Sequence, residues 1–258
     1  MSIWKAECLR YKYFFGTIFC VEALLDLLRL LNMLPVVDGV DTVYSFWQMI
    51  SWIFMISLIS FDFFSFFYLG KDRLLHLLPV KKAKILYMKS VVYGLYMMLY
   101  FTAGLVRYLV LLPQNATNSV GKVAFLYILS KLFAVISFFA LLSALLMIVK
   151  KVNNKVIGAI IMAVLFGGIV SLQACGLFHL VSLSHDVSWT IGIVDGAIGI
   201  NQYANILPIV FTQMGNTVRY VEESFYGISL WLNTGVIILS LIISTILHKT
   251  QKFNYIES

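Results

Sequence analysis

The stretch VAFLYILSKLFAVISFFALLSALLMIV, residues 123–149, decides the fold. It is 27 residues long and carries one charge, Lys131. About 20 apolar helical residues cross the roughly 30 Å hydrocarbon core of a bilayer, so this run spans it with room to tilt. Five more apolar runs lie at 13–34, 44–68, 88–112, 156–183 and 229–247, joined mostly by short links. There is no internal repeat and no low-complexity linker. The expectation is one all-α, polytopic membrane domain over residues 1–258, with six transmembrane helices.

Composition supports that class. Of 258 residues, 61% are hydrophobic and 12% are charged, whereas soluble domains carry about a quarter charged. A soluble enzyme, a disordered chain and a soluble nucleic-acid binder are excluded on that ground. Cys8, Cys20 and Cys175 have neither disulfide-framework nor zinc spacing and read as small apolar residues. His76, His179, His185 and His248 form no cluster in sequence. No metal site is expected.

Residues 1–11, with Trp4, Lys5 and Arg10, read as an interfacial helix on the membrane surface. They do not read as a cleavable signal, because the apolar run that follows is long and interrupted by charge. Residues 184–228 are apolar enough to tempt a seventh span. They carry Asp195, Asn201, Gln202, Asn205 and Pro208, with Gly192, Gly196 and Gly199. The expectation there is short helices that dip into the outer face or lie on it.

Charge orients the six-span arrangement, since Lys and Arg gather in cytoplasmic loops. With both termini inside, the inner segments hold 14 basic against three acidic residues, and the outer segments hold two against six. A seventh span would move Lys249 and Lys252 outside and weaken the pattern. The net charge of +7 therefore follows membrane orientation, and no nucleic-acid partner is implied. The outer link contains a glycosylation triplet, Asn115-Ala116-Thr117, of a kind common by chance.

Six charges fall inside the runs: Glu22, Asp26, Arg29, Asp62, Arg107 and Lys131. Charges at helix centre cost about 2.5–3.5 kcal/mol each on insertion scales, which makes each a functional candidate. Glu22, Asp26 and Arg29 share one helix face at i, i+4 and i+7. Asp26 neutralises with Arg29, Arg107 or Lys131 on the plainer reading. Glu22 has no obvious partner at its depth and is the leading candidate for a translocation path. Asp62 either meets cargo from inside or pairs with a basic group of the segment that follows it. In the fifth run, Ala163, Gly167, Ser171 and Cys175 recur every fourth residue. Such a stripe lets helices approach closely, within one chain or between two.

The link between the second and third runs is YLGKDRLLHLLPVKKAKILYMK, residues 68–89. Leu74, Leu75, Leu77 and Leu78 make an apolar patch on a short helix begun by Asp72 and Arg73, and Pro79 ends it. Physical chemistry leaves two readings of the patch: a protein partner, or the membrane surface with Lys81, Lys82 and Lys84 on headgroups. The acidic-Arg-x-Leu helix, the Leu-Pro-Val step and the basic cluster resemble the type 2 (exporter) family of ABC transporter permeases. The surface helix at the N-terminus and the six spans agree with that resemblance in architecture. Lys81 departs from it, because Ser or Thr often caps the next helix there.

The resemblance implies a coupling helix at 71–79, in which Asp72, Arg73, Leu74, Leu75, Leu77, Leu78 and Pro79 dock into an ABC ATPase subunit. It implies two ATPase copies that bind ATP and Mg, and a second permease copy or a homologous permease. It also implies a place in the cytoplasmic membrane, and bacterial peptide or bacteriocin export or immunity as the nearest group. The chain has no phosphate loop: Gly121-Lys122 is flanked by Ala116 and Val123 where Gly and Ser or Thr are required. No cofactor and no catalytic residue is expected in this chain. The expected function is export of an amphipathic cargo such as a peptide. The alternative is a membrane-embedded binding subunit of an uptake system. An intramembrane enzyme finds no constellation; the Glu222-Glu223 pair lacks its arginine, with Gly227 in that place.

Overall fold

Leu, Ile, Phe, Val and Met in unbroken runs satisfy their backbone groups within a helix, the one open structure that needs no water to do so. In the computed structural model each of the six apolar runs is a long helix: α1 (Lys12–Leu30), α2 (Asp38–Phe67), α3 (Lys82–Leu111), α4 (Val120–Val149), α5 (Lys155–Ser182) and α6 (Glu223–Thr250). The structure describes residues 8–31, 38–67, 82–111, 120–152, 154–182, 188–190, 210–212 and 223–250. Helices α2, α3 and α4 have 30 residues each, about 45 Å at the usual rise.

Among the described residues, four helices hold apolar windows long enough to cross a membrane: Ile50–Phe67, Lys84–Thr102, Ile128–Val149 and Ser229–Leu247. They belong to α2, α3, α4 and α6. In α5 the apolar stretch of fully described residues is Lys155–Ile169. Helix α1 has 19 residues and carries Lys12, Glu22, Asp26 and Arg29. The chain is thus helical, with four helices suited to a bilayer by length and composition.

Helix α4 is the centre of the packing. It lies along α6 over the longest contact and also meets α2, α3 and α5. Its inward residues Val135, Phe138, Phe139, Leu142, Leu146 and Val149 join one core with Phe15 and Ile18 of α1, Trp52, Met55, Ile59 and Phe63 of α2, and Tyr93, Met97 and Phe101 of α3. A smaller cluster sets Leu141 and Leu145 against Met162 and Phe166 of α5 and Val236 of α6. Large apolar side chains also cover the outside, among them Phe54, Leu99, Phe125, Val164, Leu172, Trp231 and Leu241. Such a surface fits lipid better than water.

Several hydroxyls within the helices are satisfied locally. Ser90, Ser143, Thr234 and Thr245 donate to the carbonyl four residues back, at 2.7–2.9 Å. The tight link after α4 ends at Asn154, whose Oδ1 accepts from the amides of Val156 and Ile157 and caps α5.

One expectation is corrected. Ahead of α6, the described residues between the fifth and sixth runs are strands: Ser188–Thr190 (β1) and Val210–Thr212 (β2) pair antiparallel, with Trp189 opposite Phe211. β-Branched and aromatic residues favour the pleat. The remainder of 184–228, apart from the start of α6, lies outside the described residues. The same is true of residues 1–7 of the N-terminal surface helix; residues 8–10 are helical, and Tyr11 makes a turn into α1.

Candidate functional site

Two polar rungs cross the interface of α1, α2 and α3. Each is built from residues that recur eleven apart on their own chain segment: Tyr11 and Glu22, Ser51 and Asp62, Lys89 and Tyr100. Eleven residues are about three helical turns, so both members of a pair face the same way, about 16 Å apart along the axis.

The first rung centres on Asp62 of α2, 2% exposed. Lys89 Nζ donates to its Oδ2 at 2.7 Å, and Tyr93 Oη donates to the same oxygen at 2.8 Å. Tyr11 Oη donates to Oδ1 at 3.0 Å, and Arg10 Nη2 lies 3.4 Å from that oxygen. Lys89 is fully buried, while the Arg10 side chain is 28% exposed. One carboxylate therefore faces two cations and two phenols, from two segments. Lys89 also lies over the Phe66 ring, and Arg10 over the Tyr11 ring. Burial and the neighbouring Asp62 charge push the Tyr11 phenol up to about 12. Lys150 lies over the Phe67 ring at the end of α2. The starts of α1 and α3 thus meet the ends of α2 and α4 at one end of the bundle, and these four helices alternate in direction.

The second rung centres on Glu22 of α1, 3% exposed. Tyr100 Oη of α3 donates to Glu22 Oε1 at 3.2 Å. Ser51 of α2 lies 2.9 Å from the same phenol oxygen. Because the single phenolic proton serves Glu22, the serine is the donor to Tyr100. Trp52 stacks on Tyr100 and closes the rung, with ring centroids 5.6 Å apart. Between the rungs the interface is aromatic: Phe15 stacks on Tyr96 at 4.2 Å, and Tyr93 lies near Phe15 and Phe63.

A third polar group joins α4 to α6. Ser130 donates to Ser229 at 3.3 Å, and Asn233 donates to the Ser229 carbonyl at 2.9 Å. Beside Ser130, the fully buried Lys131 stands over the Phe101 ring at 4.9 Å.

The expected residues fare as follows. Asp62 is paired with the basic Lys89, from the segment that follows it. Glu22 does have a partner at its depth, which corrects the sequence expectation: Tyr100 stands 78 residues further along the chain. Both carboxylates are closed inside the helix packing. The side chains of Asp26, Arg29, Arg107 and Cys175 lie outside the described residues, as does the whole segment 71–79 expected as a coupling helix, with Asp72, Arg73, Leu74, Leu75, Leu77, Leu78 and Pro79. Ala163, Gly167 and Ser171 lie on the exposed face of α5. A methyl group placed on Gly167 would meet nothing within 4 Å, so within the described residues this part of the stripe does not pack inside the chain.

Sequence reasoning missed Tyr11, Tyr93, Tyr100 and Ser51. Tyrosines are common in membrane-interface belts, so their type gives no signal; the eleven-residue spacing of Tyr11, Ser51 and Tyr100 from a buried charge does, and Tyr93 has no such signal. Among the described residues no three His, Cys, Asp or Glu side chains come together as metal ligands. Comparison with protein-family models, with curated proteins and with solved structures finds no match for this chain.

Proposed function

We propose that this chain is the transmembrane subunit of an ATP-driven exporter, with six spans, both termini in the cytoplasm and a separate ATPase as its energy source. The observation that carries the reading is the segment 68–89, with its leucine patch, Pro79 and basic cluster, which resembles an ABC coupling helix. Six long helices in place of the six apolar runs support it. The Asp62–Lys89 pair supports it further. It closes the base of the link between α2 and α3, so a push on that link would move both helices together. Two permeases and two ATPase subunits would make the working unit, with ATP and Mg held by the ATPases. The cargo is an amphipathic molecule, a peptide being the type case.

Transport in inside-out vesicles tests the direction. Addition of ATP to vesicles that carry the permease with its ATPase should drive an amphipathic peptide into the lumen. Uptake into right-side-out cells instead would favour a membrane-embedded binding subunit of an importer. An impermeant thiol reagent tests the topology. A cysteine at Lys252 should be protected from outside, and one at Gln114 should react.

A further inference from the structure

Uncharged polar side chains gather on one seam of the bundle. Ser130 and Ser137 of α4 and Ser229, Asn233 and Ser240 of α6 are each at most 2% exposed. Ser130 meets Ser229 at 3.3 Å, and Val236 packs against the Leu141–Leu145 cluster, so this face of α4 is turned to α6. Ser137 lies two turns after Ser130 and one turn before Leu141, on the same face. Asn233 and Ser240 lie one turn to either side of Val236. The buried Lys131, next to Ser130, stands instead over the Phe101 ring of α3.

The seam's hydroxyls are not satisfied as other helix hydroxyls are. Ser90, Ser143, Thr234 and Thr245 donate to the carbonyl four residues back at 2.7–2.9 Å. Ser130 donates across to Ser229 at 3.3 Å, long for a hydroxyl pair. Ser137 Oγ is fully buried and has no hydrogen-bond partner among the described residues. An unmet buried hydroxyl opposes folding, and hydrocarbon offers no water to relieve it. Alanine would fill nearly the same space, so packing alone does not call for this hydroxyl.

We propose that the α4–α6 seam is the cargo-binding face, and that it takes an uncharged stretch of peptide whose backbone amides bond Ser137, Asn233 and Ser240 when α6 parts from α4. This rests on the exporter reading and adds to it the place and the chemical class of the bound stretch. The far side of α6 carries the exposed Trp231, Ile238, Leu241 and Ile242, so the seam lies one helix in from lipid. An amphipathic cargo entering there keeps its apolar side on acyl chains and its polar side on the seam. Among the described residues the seam offers no counter-charge, so an ion in the bound stretch would be desolvated without a partner, a costly state.

Inside-out vesicles that carry the permease with its ATPase test it, with a fluorescent amphipathic peptide of Leu, Ala, Ser and Gln as the probe. Ser137→Ala should raise the half-saturating peptide concentration about fivefold, as one lost neutral hydrogen bond does. The same variant should keep or raise the thermal midpoint, because its hydroxyl has no partner to lose in the closed seam. Ser143→Ala, whose hydroxyl serves its own helix, should leave transport unchanged. The same peptide with one Lys at its centre should be carried at least about tenfold more slowly. Transport that Ser137→Ala leaves unaltered overturns the seam and leaves the exporter standing. So does equal transport of the Lys-bearing peptide, and so does a fall in the midpoint of Ser137→Ala, which would make the hydroxyl structural. No ATP-driven transport by the native complex would bring down the exporter reading and this inference with it.

Discussion

Lys89 Nζ meets Asp62 Oδ2 at 2.7 Å, with the lysine fully buried and the aspartate nearly so. The two residues bracket the link between α2 and α3, and Tyr93 one turn beyond Lys89 supplies the same oxygen with a second donor. Removal of one member of a buried pair costs about 3–5 kcal/mol, because the other charge is left behind. Lys89→Met should therefore destabilise the chain by about that much, read as a loss of thermal midpoint in detergent. Asp62→Asn combined with Lys89→Met should recover part of the loss. Equal stability of the single variant and the native chain would show that the pair contributes nothing.

Tyr100 is the donor that makes burial of Glu22 tolerable. Tyr100→Phe keeps the ring on Trp52 and removes only the hydroxyl, which costs about 1–3 kcal/mol for a buried acceptor. Glu22→Gln in the same background should restore stability, since a neutral amide is easier to bury. A double-mutant cycle measures the coupling, and strict additivity would contradict the contact.

Tyr11 gives a pH signature. Its phenol ordinarily titrates near 10 and is pushed up to about 12 by burial and by Asp62. A raised pKa means that the neutral form is favoured in the fold. The stabilisation is complete below about pH 10 and disappears as pH rises through about 12. Absorbance titration at a tyrosinate band, native minus Tyr11→Phe, should show one group that ionises near 12 in the folded protein. Ionisation near 10 would mean that the phenol is not held against Asp62.

The exposed small stripe on α5 separates folding from assembly. The Cβ of Gly167→Leu would meet no neighbouring side chain within 4 Å, and the change removes a helix-interior glycine, so monomer stability should hold or rise by up to about 1 kcal/mol. If Ala163, Gly167 and Ser171 form a permease–permease contact, the same variant should abolish cross-links between copies. Cross-linking that survives would leave the stripe facing lipid.

Much of this architecture is legible in the sequence because lipid demands it. Twenty apolar residues in a row leave few alternatives to a helix, and all six runs are helices. Their ends were less legible. α2 starts at Asp38 and α3 at Lys82; in α3 a long side chain such as that of Lys84 lets the helix continue past the apolar core. The partner of Asp62 was legible in kind, as a basic group close by. Tyr100 was not, because nothing local ties a tyrosine to a glutamate 78 residues away. The strands at Ser188–Thr190 and Val210–Thr212 were hidden by the overall apolarity of their segment, which reads as helix or strand equally well over such short lengths.

If ATP hydrolysis acts on this chain through the leucines between α2 and α3, as proposed, co-purification with the ATPase reads it out. Leu74→Asp with Leu78→Asp alters no apolar run, so the permease should insert as usual. Burial of each leucine in an ATPase groove would contribute about 1.5–3 kcal/mol, and the double change should cost the complex several-fold more than its thermal energy. The account predicts that the native chain brings the ATPase with it from detergent extracts, and that the double variant does not or loses transport. Unchanged co-purification together with unchanged transport would contradict it and return those leucines to the membrane surface.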